Sequence, residues 1–190
     1  MKEIEKTYID KNCYIERIIK RSIDIILSGG CLIIFSPLFV LISLAIRWED
    51  GLPVIFSQER IGRYGKPFHI YKFRSMKIDA EKDGPNLLET NEDPRLTKVG
   101  KFLRDELPQL WNVFKGDMAF IGPRPERKYY IDKIIEHDSR YTYLYQIRPG
   151  VTSYATLYNG YTDTMEKMLR RLELDLYYLE HRSWWFDTKI

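Results

Sequence analysis

A run of 22 uncharged residues near the start of the chain constrains the fold more than any other feature. It reads IILSGGCLIIFSPLFVLISLAI, from Ile25 to Ile46. A helix of this length measures about 33 Å, and the hydrocarbon core of a bilayer is about 30 Å thick. The run is longer than the apolar part of a cleavable signal peptide. The sequence therefore predicts a membrane-embedded segment. The alternative, a buried core helix, is disfavoured because the run lacks amphipathic periodicity.

Ser36 and Pro37 stand in the middle of this run. Proline removes a helix hydrogen bond and clashes with the preceding turn, so a break is expected here. Basic residues flank the run on both sides: Lys11, Arg17, Lys20 and Arg21 precede it, and Arg47, Arg60, Arg63 and Lys66 follow it. Because basic residues favour the cytoplasmic side, both ends are expected on that side. We predict a basic lead-in at 1–22, a re-entrant membrane helix at 23–47 and a cytoplasmic domain at 48–190.

Composition limits what the rest of the chain can be. Hydrophobic residues make up 44% and charged residues 30% of the 190 residues, which excludes both a disordered tail and a protein that crosses the membrane many times. The net charge of +3 does not imply nucleic acid and suits an anionic membrane surface. Two cysteines are too few for a disulfide framework or a zinc site. We expect one domain with its own core.

Local patterns predict an α+β fold for this domain. Two β-rich runs, Val54–Ser57 and Phe68–Phe73, are joined by a glycine-containing loop and indicate a β-hairpin. Capping residues and apolar periodicity indicate four helices: one capped by Thr97, one beginning near 105–106 with Pro108 in its first turn, one at about 126–137 and one at about 164–180. The last helix carries an apolar stripe that we expect to face the core. The tryptophans in SWWFDTKI either lie at a membrane interface or pack against the domain.

An adjacent acid pair, Asp105 and Glu106, is the first candidate for chemistry. Acids at a helix start are usually structural, because the helix dipole stabilises them. Two arginines change the interpretation. Arg124 lies between two prolines, and Arg148 precedes Pro149 and Gly150. A stiff backbone reduces the entropy lost when an arginine holds a phosphate with both nitrogens.

Lys72 and Arg74 alternate with aromatic residues along a predicted strand, so both cations are expected on one side. Cations on several elements, together with an acid pair, suggest a site for a metal-bound pyrophosphate. Arginines would hold the phosphate oxygens, and a carboxylate would bind Mg²⁺ or attack phosphorus. Each cation could equally be an ordinary surface residue. No P-loop or GxGxxG motif is present.

Several separated motifs resemble one known family in the same order along the chain. They are the Ser-Pro helix, QERIG, YKFRSM, DELPQLWNVFKGDMAFIGPRP and IRPGVTSY. Together they are similar to the bacterial sugar transferase family, the monotopic phosphoglycosyl transferases, from about Ile18 to the C-terminus. The resemblance implies a protein of the bacterial inner membrane with its catalytic domain on the cytoplasmic face. It implies a UDP-sugar as donor, a membrane polyprenol phosphate as acceptor and UMP as product, at the first membrane step of surface glycan assembly.

The resemblance also implies residue roles. Asp105 would attack the sugar-bearing phosphate and form a covalent phospho-sugar aspartate, which polyprenol phosphate then displaces. Mg²⁺ would bind at Asp105, and Glu106 would orient the pair or act as a base. Lys72, Arg104, Arg124 and Arg148 would hold phosphates or the nucleotide. Downstream glycosyltransferases are conceivable partners, and nucleic acid is not expected. The motifs fix neither the sugar nor the oligomeric state.

The sequence departs from the family pattern beside the acid pair. Family members usually carry about four residues between the GKFLR arginine and the DELPQ aspartate, whereas here Arg104 adjoins Asp105. About one helical turn is missing. The chain compensates, the activity is impaired, or the sequence omits a segment. The family also usually continues beyond DTKI, so the chain is expected to be short at its C-terminus.

Two further functions follow from these observations. One is a non-catalytic membrane-surface module that binds a nucleotide-sugar or recruits glycan-assembly enzymes. The other is a metal-dependent lipid pyrophosphate hydrolase.

Overall fold

The computed structural model describes residues 7–10, 12–77, 95–102, 106–160, 162 and 164–190, and within them the chain is a mixed α+β protein. The helices are α1 (Tyr14–Ile34), α2 (Ser36–Asp50), α3 (Lys98–Phe102), α4 (Gln109–Lys115), α5 (Lys128–His137), α6 (Tyr154–Asn159), α7 (Met165–His181) and α8 (Trp184–Asp187). The strands are β1 (Ile55–Ile61), β2 (Pro67–Phe73), β3 (Ala119–Ile121) and β4 (Gly150–Thr152). Two 3₁₀ segments, Arg63–Gly65 and Ser139–Gln146, complete the structure.

The predicted break at Ser36 and Pro37 is confirmed. α1 ends at Ile34, α2 begins at Ser36, and the two helix axes are bent by 60°. The Ser36 hydroxyl donates to the Ile33 carbonyl oxygen at 2.8 Å, which satisfies an acceptor at the end of α1. Among the described residues, no single helix is long and apolar enough to cross a membrane, but α1 and α2 together meet both conditions.

The bent pair leaves much of its apolar surface uncovered. The exposed large side chains include Ile15, Ile18, Ile19, Ile23, Ile25, Ile26, Leu27, Ile33, Ile34, Phe35, Leu38, Val40, Leu41, Leu44 and Trp48. Large patches of exposed apolar side chains usually mark a surface that binds a membrane or a partner protein. The bent pair carries such a patch.

The predicted hairpin is confirmed as β1 and β2, which pair antiparallel from Ile55 opposite Phe73 to Ile61 opposite Pro67. β1 extends to Ile61, four residues beyond its expected end at Ser57, because the whole QERI segment pairs with β2. β3 and β4 form a separate two-stranded parallel sheet, with Ala119 opposite Gly150.

The larger of two buried apolar clusters among the described residues lies between α7, α5 and the Ser139–Gln146 helix, as the apolar stripe predicted, and a smaller one joins β2 to α4 through Phe68, Ile70, Val113 and Met118. In the larger cluster, Leu172, Leu176 and Leu179 on α7 are buried against side chains from α5 and the Ser139–Gln146 helix, which include Ile131, Ile134, Tyr141 and Leu144. Met165, Met168 and Leu169 are partly buried on the same cluster.

The C-terminal aromatic residues divide into two groups. Phe186 packs on the core, whereas Trp184 and Trp185 are 55% and 69% exposed, so packing against the domain holds for Phe186 alone. Asp187 fixes this segment to α1, because its carboxylate accepts from Lys20 and from the Tyr178 hydroxyl.

Two helix starts differ from the sequence prediction. Thr97 caps α3 as expected, with its hydroxyl oxygen accepting from the Gly100 amide at 2.9 Å. α4, however, begins only at Gln109, because residues 106–108 form a tight turn closed by the Gln109 amide on the Glu106 carbonyl oxygen. α5 begins at 128 rather than 126, because the Glu126 carbonyl oxygen accepts from the Ile61 amide instead of starting the helix.

Candidate active site

The structure brings together three of the predicted site residues, each from a different element. Glu106 lies in the turn before α4, Lys72 on β2 and Arg124 in the loop after β3. The Lys72 ammonium nitrogen is 3.4 Å from the Glu106 carboxylate, and an Arg124 guanidinium nitrogen is 3.8 Å from the same oxygen. The Glu106 side chain is 38% exposed, so a solvent-borne ligand can reach the group. We call these three residues the Glu106 cluster.

A buried asparagine fixes α4 against β2 and so sets the position of the Glu106 cluster. The Asn112 amide oxygen accepts from the Tyr71 backbone amide at 3.0 Å, and its nitrogen donates to the His69 carbonyl oxygen at 2.7 Å. Asn112 is fully buried, and its side chain replaces a strand partner on this edge of β2. Tyr71 adjoins Lys72, so the contact lies beside the cluster. Sequence reasoning missed this residue, whose only signal was a polar side chain on an apolar helix face.

The backbone that carries Arg124 is held on both sides. Arg60 donates to the Pro125 carbonyl oxygen at 3.1 Å, and the Gly150 amide donates to the Pro123 carbonyl oxygen at 2.9 Å. The Glu126 carboxylate then pairs with Arg60 at 3.6 Å and with Arg171 at 2.5 Å. These contacts support the expected rigidity of the PRP segment. The supporting side chains were not identified from sequence, since they come from elements far apart in the chain.

A buried acid on α7 lies beside this support. Asp175 is 2% exposed, and its Oδ1 atom has no hydrogen-bond partner. Burial raises the pKa of the Asp175 carboxyl to about 8, and Glu126 adds to the rise while Arg171 opposes it. Burial also lowers the pKa of the Arg171 guanidinium. Asp175, Glu126, Arg171 and Arg124 line one small cavity.

The segment that leads to the acid pair is attached to the end of α2. The Glu49 carboxylate accepts from the Lys98 and Val99 amides, at 2.5 and 2.8 Å, and so caps α3. Gly100 lies so close to Ser75 that an added Cβ would be 2.0 Å from the Ser75 carbonyl oxygen. α2 therefore holds α3 in place, and α3 precedes Arg104 and Asp105 in the chain.

Other predicted residues have different positions. Asp105 and Arg104 lie outside the described residues, so their roles stay predictions. The Arg148 Nε atom donates to the Gly116 carbonyl oxygen at 2.8 Å, and Arg148 forms no ion pair with Glu106 among the described residues. Arg74 lies apart from Lys72, contrary to the expectation that both cations are on one side. Its guanidinium group is buried, 3.2 Å from the carboxylate of Asp50 at the end of α2.

The donor set around Glu106 limits how a metal could bind. Among the described residues, no group of three or more acidic, histidine or cysteine side chains could hold a metal ion. Mg²⁺, however, is commonly held by one or two carboxylates together with substrate phosphates and water. Glu106, next to Asp105 in sequence, fits a site in which substrate phosphates supply most of the metal ligands. It does not fit a site in which the protein supplies all of them.

The described residues thus combine a bent apolar helix pair with a partly exposed carboxylate that lies near two cations. Residues 15–190 match the family described as bacterial sugar transferase, and the chain belongs to this family.

Similar proteins of known description include three bacterial enzymes. The UDP-glucose:undecaprenyl-phosphate glucose-1-phosphate transferase of Escherichia coli (strain K12) is 42% identical over 182 residues, 93% of this chain and 39% of its own length. The UDP-N-acetylgalactosamine-undecaprenyl-phosphate N-acetylgalactosaminephosphotransferase of Aeromonas hydrophila is 39% identical, over 90% of this chain and 41% of its own length. The glucose-1-phosphate transferase of Caulobacter vibrioides is 40% identical, over 90% of this chain and 66% of its own length. The chain thus spans about two fifths of the first two relatives.

Proposed function

We propose that the chain transfers a sugar-1-phosphate from a UDP-sugar to a polyprenol phosphate and releases UMP. The observation that carries this proposal is the Glu106 cluster, in which two cations from separate elements meet a half-exposed carboxylate next to Asp105. Family membership supports the reaction class, and the names of the relatives support the donor and acceptor. The whole enzyme acts at the first membrane step of surface glycan assembly.

The reaction proceeds in two displacements at phosphorus. An Asp105 oxygen attacks the sugar-bearing phosphorus of the UDP-sugar, the phosphoanhydride bond breaks, and UMP leaves with the bridging oxygen. A phosphate oxygen of the polyprenol phosphate then attacks the same phosphorus and releases the Asp105 carboxylate. Lys72 and Arg124 stabilise the charge on the phosphate oxygens, and Glu106 orients Asp105 or acts as a base. Arg104 holds the nucleotide or its phosphates, whereas Arg148 lies outside the Glu106 cluster, with its Nε atom donating to the Gly116 carbonyl oxygen.

Asp105 is the residue that would hold a Mg²⁺ ion, which would supply positive charge to stabilise the leaving phosphate. Lys72 and Arg124 supply the remaining positive charge from the protein side. Glu106 holds both cations in place when no substrate is present, which lowers the reorganisation needed on binding.

We also propose that the chain lies on the cytoplasmic face of the bacterial inner membrane and is held there by the bent pair of α1 and α2. Its exposed apolar side chains enter the bilayer, and the break at Ser36 and Pro37 lets both ends return to the same side. Two variants with one cysteine each test the arrangement in intact cells: one keeps the exposed Cys13 and the other carries Leu52→Cys, and every other cysteine is replaced by serine. Equal protection of both from an impermeant thiol reagent supports a re-entrant pair. Labelling of only one contradicts it.

An assay of UMP release tests the proposed reaction. Wild-type protein with Mg²⁺ and polyprenol phosphate is given UDP-glucose or UDP-N-acetylgalactosamine, the donors that the names of the relatives indicate. We expect UMP from at least one donor, and a loss of at least about a thousandfold in Asp105→Asn, since the nucleophile is removed. Activity retained by that variant contradicts the mechanism.

The adjacency of Arg104 and Asp105 favours a second candidate function. Without the usual intervening turn, the chain could bind a nucleotide-sugar at the membrane, or recruit downstream glycosyltransferases, without turnover. In the same assay this module gives donor binding with no UMP from any UDP-sugar. A lipid pyrophosphate hydrolase would instead release inorganic phosphate.

A further inference from the structure

A second group of cations surrounds a cavity of about 40 Å³ between α1, the loop before β4 and the Arg63–Gly65 turn. Six basic residues line this cavity: Arg17, Lys20, Arg21, Arg63, Arg148 and Arg182. Of the acids in the described part of the chain, two line it with them, Asp10 and Asp24. None of the three residues of the Glu106 cluster lines this cavity, so it is a separate feature of the molecule.

The nearby acceptors are already used by other members of this group. Asp10 is shared by Arg17 and Arg182, at 3.2 and 3.5 Å. Arg21 donates to carbonyl oxygens at the end of α4, at 2.6 and 2.7 Å. Asp24 accepts from the Phe120 backbone amide at 3.3 Å. Lys20 pairs with Asp187, so three acids offset six cations, and a positive excess remains around the cavity.

Arg63 and Arg148 carry this excess. Each uses only its Nε atom, which donates to the Gln146 carbonyl oxygen at 3.0 Å and the Gly116 carbonyl oxygen at 2.8 Å, respectively. Within the described part of the chain, the terminal nitrogens of both guanidinium groups lack a protein acceptor, and neither group has a carboxylate partner. Burial lowers the pKa of the Arg148 guanidinium, the positive charges of Arg63 and Arg21 lower it further, and the negative charge of Asp24 only partly opposes them.

Two like charges that share a partly buried cavity repel each other, and an anion between them removes that repulsion. Guanidinium groups match phosphate well, since two parallel N–H donors can bind two phosphate oxygens. One guanidinium group can bind both oxygens of a carboxylate. A tetrahedral phosphate has enough oxygens to bind two guanidinium groups at once.

We propose that Arg63 and Arg148 bind a phosphate group in this cavity, at a second anion site separate from the Glu106 cluster. The phosphate belongs to a lipid headgroup or to free inorganic phosphate, which share this chemistry. The position favours contact with lipid, because α1 leaves the cavity at Asp24 and exposes Ile25 and Ile26 directly afterwards. The site requires no sugar transfer, so it goes beyond the proposed reaction.

Thermal unfolding of the full chain in maltoside micelles, which contain no phosphate, tests the site in two arms. One arm titrates inorganic phosphate, and the other titrates phosphatidylglycerol at constant ionic strength. We expect the wild-type Tm to rise in at least one arm, and that arm identifies the source of the phosphate. In Arg63→Gln the apparent affinity falls about tenfold, because one charge-assisted fork is lost.

Arg170→Gln is the matched control, since it removes the same charge from an exposed position on α7, away from the bent pair and the cavity. It should keep the wild-type affinity. If Arg63→Gln does not fold, Arg63→Lys replaces it, and the loss of the fork should still weaken binding about threefold. The proposal is overturned if the wild-type Tm rises in neither arm, or if the Arg63 variant binds as tightly as wild type or the control.

Discussion

Two parts of the molecule, which we call the reaction side and the core side, are each stabilised by a different kind of contact. The reaction side consists of the end of α2, α3 and the Glu106 cluster. Apart from the buried Asn112 bridge, its contacts are ion pairs and caps between partly exposed groups. The core side consists of α5, the Ser139–Gln146 helix and α7, which bury a continuous apolar cluster. Stability therefore depends mainly on the core side, whereas the geometry of the reaction side depends on a few polar contacts that contribute little to stability.

The core side should give the largest effect on unfolding. Leu176 is fully buried in the cluster, and Leu176→Ala should lower the free energy of unfolding by about 3 kcal/mol. Leu157→Ala, on the neighbouring α6, is the matched control because Leu157 is 52% exposed, and it should change stability by less than about 0.5 kcal/mol. Urea unfolding in micelles measures both. Equal effects would remove the distinction between the two sides.

The reaction side should give the opposite result, a loss of activity without a loss of stability. Lys72→Met removes a cation from the Glu106 cluster, and we expect kcat/KM for UMP release to fall about a hundredfold with an unchanged Tm. Lys66→Met, on an exposed position in the same hairpin, should keep wild-type activity. A large fall in Tm for Lys72→Met would show that the cluster is structural.

Asp175, the buried acid on α7, should make the free energy of unfolding depend on pH. Burial raises the pKa of its carboxyl to about 8, whereas an unfolded aspartate titrates near pH 3.9. The folded protein therefore binds the extra proton between these values, and the contribution of Asp175 to stability falls as pH rises through this window.

Asp175→Asn removes that proton equilibrium. The free energy of unfolding of the variant, relative to wild type, should increase by about 2 kcal/mol from pH 6 to pH 8. Urea midpoints at several pH values measure this difference. A difference that stays constant across the range would contradict a buried, protonated Asp175.

The smallest effect is expected where the bent pair caps α3. Glu49→Gln weakens two charge-assisted bonds to the Lys98 and Val99 amides, so UMP release should fall about fivefold. Glu49→Asp should recover less than half of the loss, since the shorter side chain reaches only one amide. Glu136→Gln, on the exposed face of α5, is the control. Unchanged kcat in Glu49→Gln would show that α3 does not position the acid pair.

Sequence patterns predicted the features that depend on local physics. The break at Ser36 and Pro37 follows from proline in a helix, and the core face of α7 follows from a regular apolar stripe. The hairpin was recognised from two β-rich runs, although its first strand is longer than expected. Three members of the predicted site, Lys72, Glu106 and Arg124, lie together.

Features that depend on distant polar partners were not predicted. The Asn112 bridge to β2, the Glu49 cap on α3 and the Arg171 support of Glu126 each join elements that local patterns do not relate. The surroundings of Arg148 were not predicted either. The adjacent Pro149 and Gly150 indicated a rigid backbone, but nothing in the sequence indicated that Arg63 lies close to Arg148.

Mass spectrometry of the protein after reaction with a UDP-sugar, in the absence of polyprenol phosphate, shows whether Asp105 becomes covalently modified. We predict a phospho-sugar adduct on Asp105 that disappears when the acceptor is added and does not form in Asp105→Asn. An adduct on Glu106 instead, or UMP release with no adduct on any residue, would contradict it.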